Sequence, residues 1–491
     1  MLTRESLCEL IGEKLSGYLF VAVSNREPYV HTFSGRNIVA KVPASGLTVA
    51  LDPVMQGCGG TWIAHGSGDA DREVVDKNDK VGVPPEEPRY SLRRVWLSKE
   101  EERGYYLGFS NEALWPLCHI VYIRPVFNES DWNTYRKVNE IFARAVLDEV
   151  GNKKAFVFIQ DYHLALLSRL IKEKNPNIVT AQFWHIPWPN RQVFMRCPWY
   201  EDILHGLLGN DLLGFHIRND CNNFMDTVDR GIEAKVDWER YEVTRGGHKT
   251  AIRPFPISVD FEEISRQAQK EEVSAEIERL KNTLGIEDEM VGVGLDRIDY
   301  TKGIPDRFQA FARFLEKYPD YEKRVVFIQA GVPSRAQLEE YKKLNEDTDN
   351  LVNEINWKYG SGRWKPIIYL KEHEPPITLM ALRRMADFFV VSSLHDGMNL
   401  VAKEFAASRN DRDGVLILSR FTGAAREMTD ALLINPYAIE QFADSIKNAL
   451  EMPKAERQKR MRKMREVVRE NNIYKWAADI ISELVKFEFG E

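Results

Sequence analysis

The chain has 491 residues, of which 44% are hydrophobic and 29% are charged, and its formal net charge is −7. This length argues for two large domains rather than one core, and the composition is that of a folded protein with little room for disorder. The negative net charge argues against a general nucleic-acid binder, because such proteins present a basic surface to the phosphates.

The first segment predicts a short amphipathic helix within residues 1–17. Leu7, Leu10, Ile11 and Leu15 fall at helical spacing, and the basic flank and long apolar core of a secretory signal are missing. No apolar run in the sequence approaches the roughly 20 residues that a membrane-spanning helix needs. The five cysteines are scattered, odd in number and without metal-ligand spacing, which is typical of reduced thiols. We therefore expect a soluble, cytoplasmic protein that binds no membrane.

Short apolar runs followed by polar-patterned helices recur along the first half. They predict strands at 18–24, 155–160, 179–185 and 212–217, with the sequences YLFVAVS, AFVFIQ, VTAQFWH and LLGFHI. The long segment between the first two runs contains GCGGTWIAHGSGD and the proline-rich VGVPPEEP. We interpret this segment as elaborated loops around a site.

The second half repeats the pattern more clearly. Its apolar runs lie at 290–295, 325–330, 367–370, 388–393, 415–418 and 432–435. Runs that are apolar on both faces are typical of parallel strands covered by helices, and the segments between them can hold crossover helices. The predicted fold class is α/β, with two Rossmann-like doubly wound domains that face each other across a cleft. A boundary near PFPISVD (254–260) would separate residues 1–256 from residues 257–470.

A basic run at 453–471 invites a nucleic-acid or membrane interpretation. Met461, Met464, Val467 and Val468 form an apolar stripe within it, so an amphipathic helix with a solvated basic face is the better interpretation. Residues 471–491 predict a further helix that docks back on the first domain. Its apolar face would be formed by Ile473, Trp476, Ile480 and Leu484.

The stretch LHDGMNLVAKEF (394–405) places a turn after a predicted strand and a helix after the turn. Gly397 permits an unusual backbone geometry there, and the free amides of the following helix can bind hydroxyls or diphosphate oxygens. Glu404 shares a helix face with Leu400, where a carboxylate can accept hydrogen bonds from a ribose. A capped surface helix with a solvated glutamate would look similar.

The stretch LDRIDYTKGIPDRF (295–308) ends another predicted strand and offers two cations, Arg297 and Lys302. Two cations can neutralise a diphosphate leaving group, as a metal ion does elsewhere. The alternative is that both are surface cations paired with Asp296 and Asp299.

The sequence carries no convincing metal signature. Asp-x-Asp patterns occur at 69–71, 347–349 and 411–413, and three such matches without a histidine at ligand spacing do not discriminate. We predict no catalytic metal.

Several residues of the first half also lie near predicted strand ends or helix starts. For each of them burial in a core is an alternative to function. They are Arg26, Gly46, Tyr106, Trp115, Asp161 and His185.

These motifs together resemble the trehalose-6-phosphate synthase family of retaining glycosyltransferases. The similarity covers about residues 18 to 487 and rests on SNR, FSNEALWP, DYHL, HIPWP, DRIDYTKGIPDRF, PSR, DGMNLVAKEF and GAAREMTDALLINPY. It implies the GT-B architecture, with an acceptor-binding first domain and a second domain that binds the nucleotide sugar.

The resemblance also implies the donor site. Arg297 and Lys302 would hold the diphosphate, Asp396 the transferred sugar and Glu404 the ribose. The implied donor ligands are Gly46, Arg297, Lys302, Glu374, Asp396, Gly397, Met398, Asn399, Leu400, Val401 and Glu404.

On the acceptor side, Arg26, Tyr106 and Arg335 would bind the phosphate of glucose 6-phosphate. Asp161 would bind the sugar hydroxyls and Trp115 would shape the pocket. Two arginines and a phenol make a plausible phosphate clamp on physical grounds as well. The residues implied at the reacting centre are His185, Arg297, Lys302 and Asp396.

The sequence departs from the family pattern at four positions. Ser45 precedes Gly46 where the family has Gly-Gly, and His65 replaces the second tryptophan of W-x-x-W. His395 stands where an arginine is usual, and Glu374 stands where an aromatic residue is common. These departures leave the base of the donor nucleotide and the identity of the acceptor open.

The leading hypothesis is transfer of glucose from UDP-glucose to glucose 6-phosphate, with no cofactor or metal beyond the nucleotide sugar. The alternatives are transfer to glycerol 3-phosphate, and a catalytically silent subunit that binds sugar phosphate as a signal. The expected partners are a nucleotide sugar and a sugar phosphate, without nucleic acid or membrane, and a homo-oligomer is left open.

Overall fold

The computed structural model describes residues 2–43 and 46–489. The chain divides into two compact units. Unit 1 extends to Ile257 and takes in the chain again from Ile473, and unit 2 is Ser258–Asn472. Each unit is a mixed α/β fold built on a sheet whose central strands are parallel, so the predicted fold class is confirmed.

Unit 1 is built on a mixed sheet of ten strands among the described residues. Its order is β10-β11-β12-β9-β8-β7-β1-β4-β6-β5, and the strands from β12 to β6 pair in parallel. A separate antiparallel hairpin is formed by β2 and β3. The strands are β1 Leu19–Arg26, β2 Val30–Ser34, β3 Asn37–Lys41, β4 Thr61–His65, β5 Lys80–Val83, β6 Tyr90–Val95, β7 Ala155–Gln160, β8 Val179–Phe183, β9 Leu212–Phe215, β10 Lys235–Asp237, β11 Glu242–Arg245 and β12 His248–Pro254.

Helices cover the sheet of unit 1, and residues Arg103–Leu114 are wound as a π-helix. The α-helices are α1 Arg4–Lys14, α2 Gly46–Cys58, α3 Asp71–Val74, α4 Lys99–Glu102, α5 Trp115–His119, α6 Glu129–Val150, α7 Leu167–Lys174, α8 Arg191–Phe194, α9 Tyr200–Leu207 and α10 Arg218–Gly231. The face of α1 predicted to be apolar is buried at Leu7 and Ile11.

Unit 2 has a six-stranded sheet in which every pair of strands is parallel, in the order β15-β14-β13-β16-β17-β18. Its strands are β13 Met290–Leu295, β14 Val325–Ala330, β15 Ile367–Leu370, β16 Phe388–Val391, β17 Val415–Ser419 and β18 Leu432–Ile434. Its helices are α11 Phe261–Gln267, α12 Glu271–Leu284, α13 Ile304–Lys317, α14 Glu339–Tyr359, α15 Pro376–Met385, α16 Leu400–Ser408, α17 Ile439–Glu451 and α18 Lys454–Glu470.

The last helix, α19 Ile473–Phe489, belongs to unit 1. The ring of Trp476 packs against Phe158 and Phe183 of the central sheet, with centroids 5.9 Å and 5.2 Å away. Ile480 and Leu484 are buried on the same face.

The basic helix α18 has the amphipathic character that the sequence predicts. Met461, Met464 and Val468 are buried. Arg457 pairs with Asp413 at 2.6 Å, and other cations of the helix bind carboxylates or main-chain carbonyls. No helix among the described residues is both long and apolar enough to cross a membrane.

The interpretation of the segment between β1 and β7 as loops is wrong. It contributes β4 and β6, which extend the parallel sheet beside β1, and the hairpin of β2 and β3. All five residues of β4 are buried. Glycines border this short apolar run on both sides, and such residues are typical of turns.

Candidate active site

In unit 2, the chain leaves β16 through a loop and enters α16 at Leu400. The side chain of Asn399 caps the helix by accepting a hydrogen bond from the amide of Ala402 at 3.1 Å. Gly397 permits an unusual backbone geometry, but in this loop the positive φ occurs at Asn399, at 81°. This cap directs the amino terminus of α16, with its free amides, towards the end of the sheet.

A second turn, residues 422–424, supports this loop. The amide of Gly423 donates to the carbonyl of Asp396 at 3.1 Å, and the amide of Ala424 donates to the carbonyl of Met398 at 2.8 Å. A Cβ on Gly423 would lie 2.0 Å from the carbonyl oxygen of Gly397. The approach is so close that only glycine fits at position 423 without a shift of the loop.

Lys302 and Asp396 form the centre of the site in unit 2. Lys302 ends a 3₁₀ turn after β13, and its Nζ lies 2.6 Å from Oδ2 of Asp396. Asn399 donates to the same carboxylate oxygen at 3.2 Å. Burial disfavours the ammonium, but the neighbouring carboxylates, above all Asp396, raise the pKa of Lys302 above its ordinary value. The lysine is therefore charged at neutral pH.

The carboxylates considered as surface partners of the two cations have other partners. Asp296 binds Arg307 at 2.7 Å and Asp299 binds Arg335 at 3.1 Å. Although burial favours the neutral acid, the Arg335 guanidinium lowers the pKa of Asp299. Arg297 lies half-buried in the loop after β13.

Further along α16, Glu404 forms an ion pair with Arg383 of α15. Its neighbour Lys403 is buried and binds Glu427 at 2.6 Å. Sequence reasoning missed Arg383, Lys403 and Glu427. Lys403 and Glu427 lie within the motifs DGMNLVAKEF and GAAREMTDALLINPY, whereas Arg383 lies in none of the motifs. Helical periodicity shows only which residues share a face, and a lysine is usually expected at the solvent-exposed surface.

Unit 1 brings Arg26 and Tyr106 together. Arg26 ends β1 beyond an irregularity in the strand pairing, its side chain is exposed, and Nη2 donates to the phenol of Tyr106 at 2.9 Å. The Tyr106 ring stacks on His163, with centroids 5.6 Å apart. An arginine and a phenol placed side by side offer donors to a phosphate.

Asp161 and His185 follow the neighbouring strands β7 and β8. The carboxylate of Asp161, whose φ is 71°, accepts from the amide of Tyr162 at 2.9 Å and from the amide of His185 at 3.2 Å. The Nε2 atom of His185 lies 2.9 Å from the amide oxygen of Gln160. Burial lowers the pKa of His185 well below its ordinary value, so the imidazole is neutral at neutral pH.

Trp115 is buried and its ring lies 6.0 Å from Tyr162, whose hydroxyl donates to Asn111 at 2.9 Å. Sequence reasoning missed Asn111, Tyr162 and His163 as members of this cluster. Asn111 lies in the motif FSNEALWP with Trp115, and Tyr162 and His163 lie in DYHL with Asp161. That adjacency was the available signal.

The remaining predicted positions are distributed over both units. Gly46 is the first residue of α2, and Ser45 lies outside the described residues. His65 ends β4 with Nδ1 3.2 Å from the carbonyl of Val95. Glu374 and His395 lie in loops of unit 2, after β15 and β16.

The arrangement assigns different chemistry to each unit. Unit 2 gathers a charged lysine, a carboxylate and a helix amino terminus, which suit a glycosyl diphosphate. Unit 1 gathers donors for a phosphate and polar groups for sugar hydroxyls. Among the described residues, no group of three or more histidine, cysteine or acidic side chains could hold a metal ion.

Two Rossmann-like units with this site chemistry define a GT-B glycosyltransferase. The sequence model of glycosyltransferase family 20 matches residues 19–486. The chain belongs to this family, and the resemblance read from its motifs is confirmed.

Relatives in sequence match nearly the whole chain. A trehalose-6-phosphate synthase of Mycolicibacterium paratuberculosis is 35% identical over 97% of this chain and 97% of its own length. A bifunctional trehalose-6-phosphate synthase/phosphatase of Thermoproteus tenax is 36% identical over 95% of this chain. The chain spans 63% of the length of that bifunctional protein.

Solved structures agree in fold. An E. coli structure bound with UDP-2-fluoro glucose has a TM-score of 0.85 and 31% identity, and covers 95% of this chain and 99% of its own. An α,α-trehalose-phosphate synthase from Burkholderia xenovorans in complex with glucose 6-phosphate has a TM-score of 0.84 and 30% identity, covering 95% and 99%.

Proposed function

We propose that this protein transfers glucose from UDP-glucose to glucose 6-phosphate, giving α,α-trehalose 6-phosphate and UDP. The observation that carries the proposal is the contact between Lys302 and Asp396 at 2.6 Å beside the capped amino terminus of α16. Family membership and the ligands of the solved relatives support it.

In the proposed reaction, unit 2 binds the donor. The Lys302 ammonium and Arg297 neutralise the negative charge that grows on the diphosphate as the glycosyl bond breaks. These cations act mainly in the transition state, because this charge develops there. Asp396 accepts a hydrogen bond from the transferred sugar, and the amides from Gly397 to Leu400 bind sugar and phosphate oxygens. Glu404 binds the ribose, next to Arg383.

Unit 1 binds the acceptor in this proposal. Arg26 and Tyr106 bind the phosphate, and Asp161 accepts from sugar hydroxyls. The neutral imidazole of His185 can hydrogen-bond a hydroxyl near the reacting carbon without adding charge. Transfer proceeds with retention at the front face, where the leaving phosphate takes the acceptor proton.

The test is the release of nucleoside diphosphate from UDP-glucose in the presence of a metal chelator. Glucose 6-phosphate, glycerol 3-phosphate and no acceptor are compared, and the disaccharide and its anomeric configuration are identified by NMR. We expect release with glucose 6-phosphate and an α,α-linked product. If glycerol 3-phosphate is preferred, it replaces glucose 6-phosphate as the proposed acceptor, because the same phosphate clamp suits both compounds. No release with UDP-, ADP- or GDP-glucose would overturn a catalytic function.

A further inference from the structure

Immediately after the exposed Arg26, the chain turns inward at Glu27, which is 1% exposed. Its Oε2 accepts from Nε of Arg94 at 2.8 Å. Its Oε1 accepts from the amide of Ser67 at 2.9 Å and from the hydroxyl of Ser67 at 3.1 Å. The residue next to the proposed phosphate ligand is therefore anchored in the interior of unit 1.

A second buried carboxylate shares the same guanidinium. Asp71 lies 2.8 Å from Nη2 of Arg94 and is fully buried. It also accepts from the amides of His31 at 2.8 Å and Gly68 at 2.6 Å. Asp71 thus joins the start of β2 to the turn after β4.

The nearby histidine contributes no charge to this cluster. The Nδ1 atom of His31 lies 2.8 Å from Nη2 of Arg94. A guanidinium has only donors, so Nδ1 must be the acceptor and the ring is neutral. Burial, and then the charge of Arg94, lower the pKa of His31 in agreement with this.

The charges of the cluster do not balance when both acids are ionised. Glu27 and Asp71 would carry two negative charges against the single positive charge of Arg94, and an uncompensated buried charge is costly. A proton held between the two carboxyl groups removes the excess. Burial, and then the hydrogen bond with Asp71, raise the pKa of Glu27 to about 7.

We propose that Glu27 is a positioning residue for Arg26, and that loss of the buried proton of the Glu27–Asp71–Arg94–His31 cluster weakens binding of the acceptor phosphate. With the proton in place the cluster is neutral and the end of β1 is fixed. Without it two carboxylates repel each other beside the peptide that carries Arg26. The inference rests on the proposed function, in which Arg26 binds the phosphate.

The first experiment measures KM for glucose 6-phosphate from about pH 6 to about pH 8.5, a range that brackets the titration of a group near neutrality. Wild type, Glu27→Gln and the control Glu149→Gln are compared. Glu149 is also a buried acid that binds cations, Lys80 and Arg93, but hydrogen bonds from Lys80 and Thr61 outweigh burial and lower its pKa. Ionisation of the sugar phosphate is common to all three proteins.

We expect KM to rise several-fold with pH in wild type and in Glu149→Gln, and the Glu27→Gln profile to stay flat apart from the shared ionisation. Because the amide keeps the shape of the acid and stays neutral, KM of Glu27→Gln should change only with the shared ionisation of the sugar phosphate. Asp71→Asn should move the rise to lower pH, since one carboxylate then faces one guanidinium. If KM for glucose 6-phosphate changes with pH in parallel in wild type and in Glu27→Gln, Glu27 is not a positioning residue for Arg26.

Thermal unfolding tests the buried proton without any substrate. The pKa of Glu27 is raised in the folded state from 4.5 to about 7, so the folded protein binds the extra proton and its stability falls as pH rises between these values. The unfolding midpoint of wild type should therefore drop relative to Glu27→Gln across this interval and stay lower above it. If the unfolding midpoints of wild type and Glu27→Gln differ by the same amount at every pH, the cluster holds no such proton. If neither wild type nor any variant converts the substrates, the proposed function fails. The unfolding measurement still shows whether the cluster holds the buried proton.

Discussion

At the scale of single residues, the ammonium of Lys302 lies 2.6 Å from the carboxylate of Asp396. We predict that Lys302→Ala lowers kcat about 10²–10³-fold, because a preorganised charge acts mainly in the transition state. KM for the acceptor should change little. Steady-state kinetics with each substrate varied in turn checks this.

Lys317→Ala is the matched control for this lysine. Lys317 lies in the last turn of α13 and pairs with Asp444 at 2.6 Å. Its removal should leave turnover unchanged. Near-normal turnover in Lys302→Ala would contradict the assignment.

The sequence predicted which residue types lie at the strand ends, but it did not predict their partners. Lys302 and Asp396 are 94 positions apart, and each was predicted from its own motif. Their pairing depends on β13 and β16 being neighbours in the sheet. Strand order is a property of the whole sheet, so local patterns left Asp296 and Asp299 open as alternative partners of the cations.

At the scale of elements, the donor loop depends on its contact with the 422–424 turn. We predict that Gly423→Ala lowers kcat/KM for the donor by about 10²-fold, since a displacement near 1 Å in a reacting geometry can cost that much. The reason is steric, because the new methyl group would lie 2.0 Å from the Gly397 oxygen. Donor-dependent kinetics and a circular dichroism spectrum measure the effect and verify folding.

Gly12→Ala in α1 is the control for that substitution. An added Cβ meets nothing within 4 Å there. Kinetics should be unchanged, and helix propensity should stabilise the protein by about 1 kcal/mol or less. Equal losses in the two variants would mean that the loop contact is irrelevant to the donor.

The buried Lys403 and the half-buried Glu427 join α16 to the segment that follows the supporting turn. We predict that Lys403→Met destabilises unit 2 by about 3 kcal/mol, because Glu427 loses its cation in a largely buried place. Adding Glu427→Leu should recover much of the loss. Denaturant unfolding of the single and double variants measures both.

The more exposed pair of Lys371 and Asp349, 2.6 Å apart and with side chains 38% and 40% exposed, is the control. Lys371→Met should cost less than about 1 kcal/mol. A similar loss in both lysine variants would show that burial of the pair is unimportant.

The elements of the fold were predictable where apolar runs were uninterrupted. The runs 155–160, 290–295, 325–330 and 367–370 have the bounds of β7, β13, β14 and β15. In contrast, β4 and β6 were missed. Glycines border β4, and β6 carries charged residues within the sheet, including the buried Arg94. A strand with these features cannot be recognised from its local sequence pattern, because its position in the sheet depends on strands that are distant in sequence.

At the scale of the whole molecule, helix α19 completes unit 1 although the whole of unit 2 separates it from β12 in sequence. We predict that Trp476→Ala destabilises unit 1 by about 3–5 kcal/mol, because the ring packs on Phe158 and Phe183. Differential scanning calorimetry should show a lower transition for unit 1 and an unchanged one for unit 2. Trp357→Ala, at a tryptophan that is 89% exposed, should leave both transitions in place.

The membership of α19 in unit 1 has a consequence for synthesis on the ribosome. Strands β1 to β12 emerge first, but the apolar surface around Phe158 and Phe183 lacks the cover of Trp476 until residues 473–489 follow. Unit 2 is continuous in sequence and can fold while its neighbour is still incomplete. The nascent chain therefore finishes its second unit before its first, and during that interval the uncovered surface is a natural place for a chaperone to bind.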